Sequence, residues 1–441
     1  MRKNYSILNK AAGLALAATM MLGFTSCEDI LGHWEKPTPA AVTPEEPAAP
    51  TVTDLSMVDC AGNARATMST ANCYMVHTAG DYKLPLVYGN AIKDGAANTA
   101  AYTGVSGQLE TFHNHAGKAI TDPWIKNNKD ESDNDIVVST AELLWQDAEG
   151  LITDVGIIGD YLTLTVGKNA TEQEGNAVIA AKSSDDNIVW SWHIWVTKET
   201  FADATLTTVA TGSHNYSVTP VNLGWVPTGG NSKQGYAPYY QWGRKDPFKG
   251  TGAPADLTVY DIDGTAIAGL TYTQSNDATI ADNIKNPTTH YFNSSTSGPC
   301  NTQYNNMWDA QQTGTGNITT ATVKTVYDPC PAGFCVPTGN LYYFIGKDGD
   351  NHRAMATWDP TNKGATWNTS ITGTALFFPA SGRRVTSSGS LDYDGSNGYC
   401  WSASPYGLGY YGHNLYIDSS NWRWYEYGRA HGSPVRAVAE E

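Results

Sequence analysis

The 441-residue sequence predicts a mostly β fold, an N-terminal β-sandwich domain followed by a loop-rich α+β domain. Three observations carry this. Apolar and polar residues alternate in "YLTLTVG" from Tyr161, as a half-buried strand requires. "GNAVIAAKSSDDNIVWSWHIWVT" reads as two strand-like runs split by the turn residues Ser183 to Asn187. Long amphipathic helical stretches are scarce, while Gly and small polar residues crowd the chain after residue 210.

In the second of those runs Trp190, Trp192, Ile194 and Val196 share one face, which is expected to be core. His193 and Trp195 fall on the other face, and His193 is expected to be half-exposed there. "YMVHTAGDYKLPLVYGNAIKDG" adds short strands punctuated by Gly80, Pro85 and Gly89. Short helices are expected around "NTQYNNMWDAQQ" and after Pro337, where Thr338 is placed to cap "GNLYYFIG". The boundary between the domains is set near "TVATGSHNYSVTPVN", giving 54–210 and 211–441.

The opening "MRKNYSILNKAAGLALAATMMLGFTSC" puts Arg2, Lys3 and Lys10 ahead of an apolar run from Ala11 to Phe24. That run is too short to span a membrane and ends in small residues, so 1–26 reads as a secretory signal. "GFTSC" resembles a bacterial lipobox of the Bacteroidetes kind. The resemblance implies lipidation of Cys27 and, with Glu28 and Asp29 behind it, placement on the outer membrane at the cell surface. Residues 27–53 include "EKPTPAAVTPEEPAAPTVT", a Pro-rich stretch that reads as a semi-rigid tether.

The formal charge is −16, and it becomes −19 when the first 26 residues, with three bases and no acid, are removed. Such a surface disfavours nucleic acid and anionic membranes as partners, leaving the lipid as the expected membrane contact. Six cysteines remain besides Cys27: Cys60, Cys73, Cys300, Cys330, Cys335 and Cys400. In an exported chain they permit up to three disulfides, and spacing alone selects no pairing. No CxxC pair occurs, so neither a zinc ribbon nor a thioredoxin-type site is indicated.

Four stretches of the second half belong together. They are "APYYQWGRKDP" at Ala237, "YDPCPAGFCVPT" at Tyr327, "FFPASGRR" at Phe377, and "GYCWSASPYG" with "NLYID" and "GSPVRAV" at the end. In this order they resemble the Fibrobacter succinogenes major paralogous domain, over residues 215 to 441. The resemblance implies a C-type-lectin-like fold of the sort found in Bacteroidetes surface lipoproteins. This chain departs from the pattern by carrying Ala437 where many relatives have a cysteine. Against that pattern the expected bridges are Cys335 with Cys400 and Cys300 with Cys330. The Glu-Pro-Asn, Gln-Pro-Asp and Trp-Asn-Asp motifs of calcium-dependent lectins do not occur. "KDGDNH" offers Asp348, Asp350 and Asn351 but not a complete calcium loop.

The closing stretch is dense in Tyr, Asn, Ser, Asp, His and Arg. It resembles the variable regions that retroelements diversify in this fold class. Strand alternation sends Leu415 and Ile417 one way and Asn414 and Tyr416 the other, and puts Trp422 and Trp424 together on a core side. The candidate recognition face is Tyr406, Tyr410, Tyr411, His413, Asn414, Tyr416, Arg423, Tyr425 and Tyr427. Tyr and Arg supply large semi-rigid contact area with polar tips.

No Walker loop, GxSxG elbow or HExxH helix occurs, and no catalytic residue, cofactor or metal is assigned. "FHNH" sets His113 and His115 two apart without a third ligand, and the acidic "DESDND" reads as a solvated run. Formylglycine-generating enzymes share the lectin-like fold, but their paired active-site cysteines have no counterpart here. The expected function is a lipid-anchored, adhesin-like surface protein that binds a protein or glycan non-covalently. The alternative is a pilus tip or accessory subunit assembled with other pilus subunits by strand addition through the N-terminal β domain.

Overall fold

The computed structural model describes residues 51–441 apart from 212–213, 252–256, 276, 293–303, 315–319, 346–355, 369–374, 387 and 408. The signal, Cys27, most of the tether, Cys300 and the "KDGDNH" turn lie outside the described residues. The fold is mostly β, with two short α-helices among the described residues.

The expected hairpin forms as Gly175–Ser183 and Ile188–Val196, with Asp186 in the turn at φ 66°. It lies within a six-stranded sheet ordered Ala266–Ile267, Val259–Tyr260, Val138–Gln146, Gly175–Ser183, Ile188–Val196, Cys73–Val76. A four-stranded sheet runs Thr53–Asp54, Gly80–Pro85, Tyr161–Val166, Ile152–Ile158. Leu162, Leu164 and Val166 alternate into a core shared with Leu84, Ile179, Trp192 and Ile194.

His193 and Trp195 correct the expectation of a half-exposed face, because both are buried. Residues from the second half cover them. The Trp195 Nε1–H donates to the Trp225 carbonyl at 3.1 Å, while His193 Nε2 meets Asn176 Oδ1 at 2.8 Å and its Nδ1 meets the Tyr240 hydroxyl at 3.3 Å. A strand buried on both faces carries no polar-out signal.

The stretches on either side of residue 210 therefore share a core, and Pro50–Glu441 is one compact unit. Strands from 259 to 267 extend the six-stranded sheet. The amide of Asn72 donates to the carbonyls of Val326 and Asp328 at 2.6 and 2.8 Å, and Asn90 to those of Thr325 and Asp328 at 2.6 and 3.1 Å. In "YDPCPAGF" the Asp328 carboxylate folds the turn by accepting from the Cys330 and Val336 amides. The C-terminal strand Val438–Ala439 inserts between Asn215–Val218 and Phe334–Cys335.

A second core lies around helix Gly339–Ile345, where Leu341, Tyr342 and Ile345 meet Trp367, Phe378, Leu415, Ile417 and Trp422. The helix starts after Thr338 as expected, yet the Thr338 hydroxyl pairs with the Tyr216 hydroxyl at 2.9 Å, and the Gly339 amide donates to Ser404 Oγ at 2.8 Å. The other helix, Ile280–Lys285, was not expected from the sequence, although the Thr279-x-x-Asp282 pattern at its start forms a capping box. No helix forms over 304–312. There Trp308 Nε1–H reaches the Arg244 and Tyr327 carbonyls and Asn306 grips Leu109, contacts that hold the segment as buried loop.

The expected bridge between Cys335 and Cys400 is not formed. Cys60, Cys73, Cys330, Cys335 and Cys400 are all free and buried. Cys335 sits across from Val438 in one sheet and Cys400 across from Leu415 in another, and the Cys400 thiol is 3.7 Å from Asn222 Oδ1. They pack as small apolar residues, and burial pushes the Cys60 and Cys400 thiols up to about 12.

Candidate functional site: a tyrosine face around Arg383

Strands Gly398–Tyr406, Tyr411–Ile417 and Trp422–Gly428 form an antiparallel sheet in sequence order. Alternation divides it. Cys400, Leu415, Ile417 and Trp422 point into the second core, and Trp424 packs against it. Tyr399, Tyr416 and Arg423 line up across the three strands on the opposite face, beside Tyr425 and Tyr427.

One end of that face is closed by the body of the protein. Trp401 Nε1–H donates to the Tyr240 carbonyl at 2.9 Å, and a Cβ on Gly412 would lie 2.6 Å from Trp242. Only glycine lets the strand approach so closely. Beyond it the rings emerge, and Tyr425 is 42% exposed.

The rings pack on one another. Tyr399 lies 5.1 Å from Tyr427 and 5.5 Å from Tyr416, both edge to face, and Tyr425 lies 5.4 Å from Tyr427. Arg383, from "FFPASGRR", anchors them. Its guanidinium stands 4.8 Å from the Tyr427 ring centre, 5.2 Å from Tyr399 and 5.4 Å from Tyr393, and Asp392 lies 3.6 Å away. Along the rim the Tyr416 hydroxyl donates to Asp418 Oδ2 at 2.6 Å, Asn421 donates to the same carboxylate, and Arg423 donates to Asn421 Oδ1 at 2.7 Å. Burial pushes the Tyr416 and Tyr427 phenols well up, Tyr416 helped by the Asp418 carboxylate, so both remain neutral hydroxyls.

Of the nine residues expected on this face, Tyr416, Arg423, Tyr425 and Tyr427 come together. Tyr406, Tyr411 and His413 fall on the other side of the sheet, where His413 stacks 3.8 Å from Trp424 and meets Tyr406 edge to face at 4.8 Å. Tyr410 lies in the hairpin tip, 43% exposed. Asn414 is on the tyrosine face but fully buried, with neither amide atom hydrogen-bonded among the described residues. The sequence reading missed Arg383, Tyr393 and Tyr399. Tyr399 was within reach, since it alternates with Trp401, but Arg383 is brought in from a separate sheet.

No family model, curated protein or solved structure matches this chain. What the site can do is set by its own chemistry. Its faces are flat π-surfaces held by mutual packing, its edges present neutral hydroxyls, and its rim combines a carboxylate, an amide and a guanidinium. Among the described residues, no group of three or more His, Cys, Asp or Glu side chains is placed to hold a metal ion. The arrangement suits non-covalent recognition of a ligand with both apolar and polar surface.

Proposed function

We propose that this chain is a lipid-anchored cell-surface protein that binds a protein or glycan through the tyrosine face of its C-terminal sheet. The carrying observation is the packing of Tyr393, Tyr399 and Tyr427 around one guanidinium, with Tyr425 and Arg423 left exposed beside them. Rings fixed in this way lose little conformational entropy on binding, which favours affinity per unit of contact area. The lipobox-like "GFTSC", the Pro-rich tether and the resemblance of residues 215 to 441 to the major paralogous domain support display at a surface.

The test is binding of the protein to glycan and surface-protein arrays beside an Arg423→Ala/Tyr425→Ala variant. Both side chains are exposed, so the variant is expected to keep its melting temperature. A partner retained by the wild type and lost by the folded variant supports the reading. Equal binding by both proteins, or no binding by either, overturns it.

A further inference from the structure

Two motifs that read separately as a strand histidine pair and a solvated acidic run meet in space. The turn 113–119, the loop 129–136 and the hairpin turn 183–187 enclose a cleft of about 240 Å³ lined by His115, Asp130, Glu131, Asp135 and Asp185. The loops are firmly built. Asn114, itself buried, donates to the Lys129 carbonyl at 2.8 Å and so fixes the histidine turn to the acidic loop. Asp130 Oδ1 accepts from the Ser132 and Asn134 amides at 2.8 and 2.9 Å, shaping that loop from inside.

His115 is the unexplained group. It is only 5% exposed and lines the cleft, yet among the described residues its Nδ1 is buried without a partner and its Nε2 makes no hydrogen bond. Buried polar groups are nearly always satisfied, so an orphan at the wall of a cleft points to a missing partner. Burial holds this imidazole down at about 4, hence neutral at neutral pH and able to accept a hydrogen bond. Three of the surrounding acids are already matched, Glu131 by Lys285, Asp133 by Lys118 and Asp135 by Lys129. Among the described residues Asp130 and Asp185 have no ion-pair partner, which leaves the cleft with uncompensated negative charge. Its acids and histidine are not placed as a metal-binding group. The occupant that fits is larger than a bare ion and carries its charge on N–H donors.

We propose that this cleft binds an alkylammonium or guanidinium group, presented either on a Lys or Arg side chain of a protein or as a free amine. The inference stands apart from the tyrosine face.

The experiment is calorimetric titration of the full chain, at low salt, with butylammonium, butylguanidinium, blocked Gly-Lys-Gly and Gly-Arg-Gly peptides, and calcium. It is repeated for Asp185→Asn, an exposed position, and for Asp130→Asn, which keeps the oxygen that shapes the loop. Binding of the organic cations that weakens roughly tenfold in both variants at unchanged melting temperature supports the proposal. Tighter binding of the blocked peptides than of the free amines assigns the site to a protein side chain, and the reverse order assigns it to a free amine. Equal binding by wild type and variants, no organic cation bound, or calcium alone bound would each overturn it.

Discussion

His413 is enclosed by Trp424 and Tyr406 with both ring nitrogens buried and unpartnered among the described residues, and burial holds it down at about 3. Each unpaired polar atom carries a desolvation penalty, so His413→Phe, which keeps a ring in the stack, is expected to stabilise the protein by about 1–2 kcal/mol. Chemical denaturation at neutral pH measures this, and a loss of stability would show that the pocket needs the smaller ring. Arg436, in "PVRAV", is the opposite case. Its guanidinium donates to Asn222 Oδ1 and to the carbonyls of Thr219, Pro220 and Phe377, and it lies 4.5 Å from the Phe378 ring centre. A buried charge with every donor nitrogen engaged is tolerable where a lone one is not. The sequence marks Arg436 as part of a motif, but the carbonyls that receive it come from residues some 60 and 215 positions away along the chain, counted from those bonds.

At the scale of elements, the turn through Gly89 is where the first half grips "YDPCPAGF". Gly89 has φ +25°, and a Cβ there would lie 2.5 Å from the Val326 carbonyl and 2.7 Å from the Asn72 amide. Neither neighbour can move without releasing the hydrogen bonds from Asn72 to Val326 and Asp328. Gly89→Ala is therefore expected to cost about 3 kcal/mol or more, read as a lowered denaturation midpoint. Burial also sets thiol chemistry. Cys60, Cys73, Cys330, Cys335 and Cys400 are expected to resist an aqueous thiol reagent in the folded protein and to react in denaturant without prior reduction. A need for reductant before these five label would contradict the arrangement. Strand identity was legible where one face is apolar, as in Tyr161–Val166, and the helix after Thr338 was legible from its position behind Pro337. The pairing of cysteines was not, because it depends on which sheets those strands join.

On the scale of the whole molecule, one core spanning both halves predicts one cooperative unfolding transition for 50–441. Two separated calorimetric transitions dividing near residue 210 would contradict that. The transition is also expected to move with pH. Burial holds His115 at about 4 and His193, His413 and His431 at about 3, all below the ordinary 6.5. As pH falls below about 6.5 the unfolded chain binds protons at these positions and the folded one does not. Their contribution is thus fully present above 6.5 and is lost toward pH 3. Asp328, pushed up to about 6 by burial, acts the other way between about 6 and its ordinary 3.8. His113 and His290 are lowered by burial as well, while Asp147, Glu199 and Asp394 are raised like Asp328. Six histidines outweigh four carboxyls, so the melting temperature is expected to drop as pH is lowered from 6.5 to 4, and less steeply in His413→Phe.

The sequence alone determined the mostly β class, the hairpin over 175–196 and the division of the last sheet, on which Trp422 faces core and Tyr425 and Tyr427 face away. These follow from the two-residue period of a strand, a local property. Tertiary structure alone decided that His193 is buried, that Tyr399 and Tyr427 close on Arg383, and that His115 meets the acidic loop. Each of those depends on which distant segments cover a face, and in a single chain covering is set by long-range packing that leaves no local period to read.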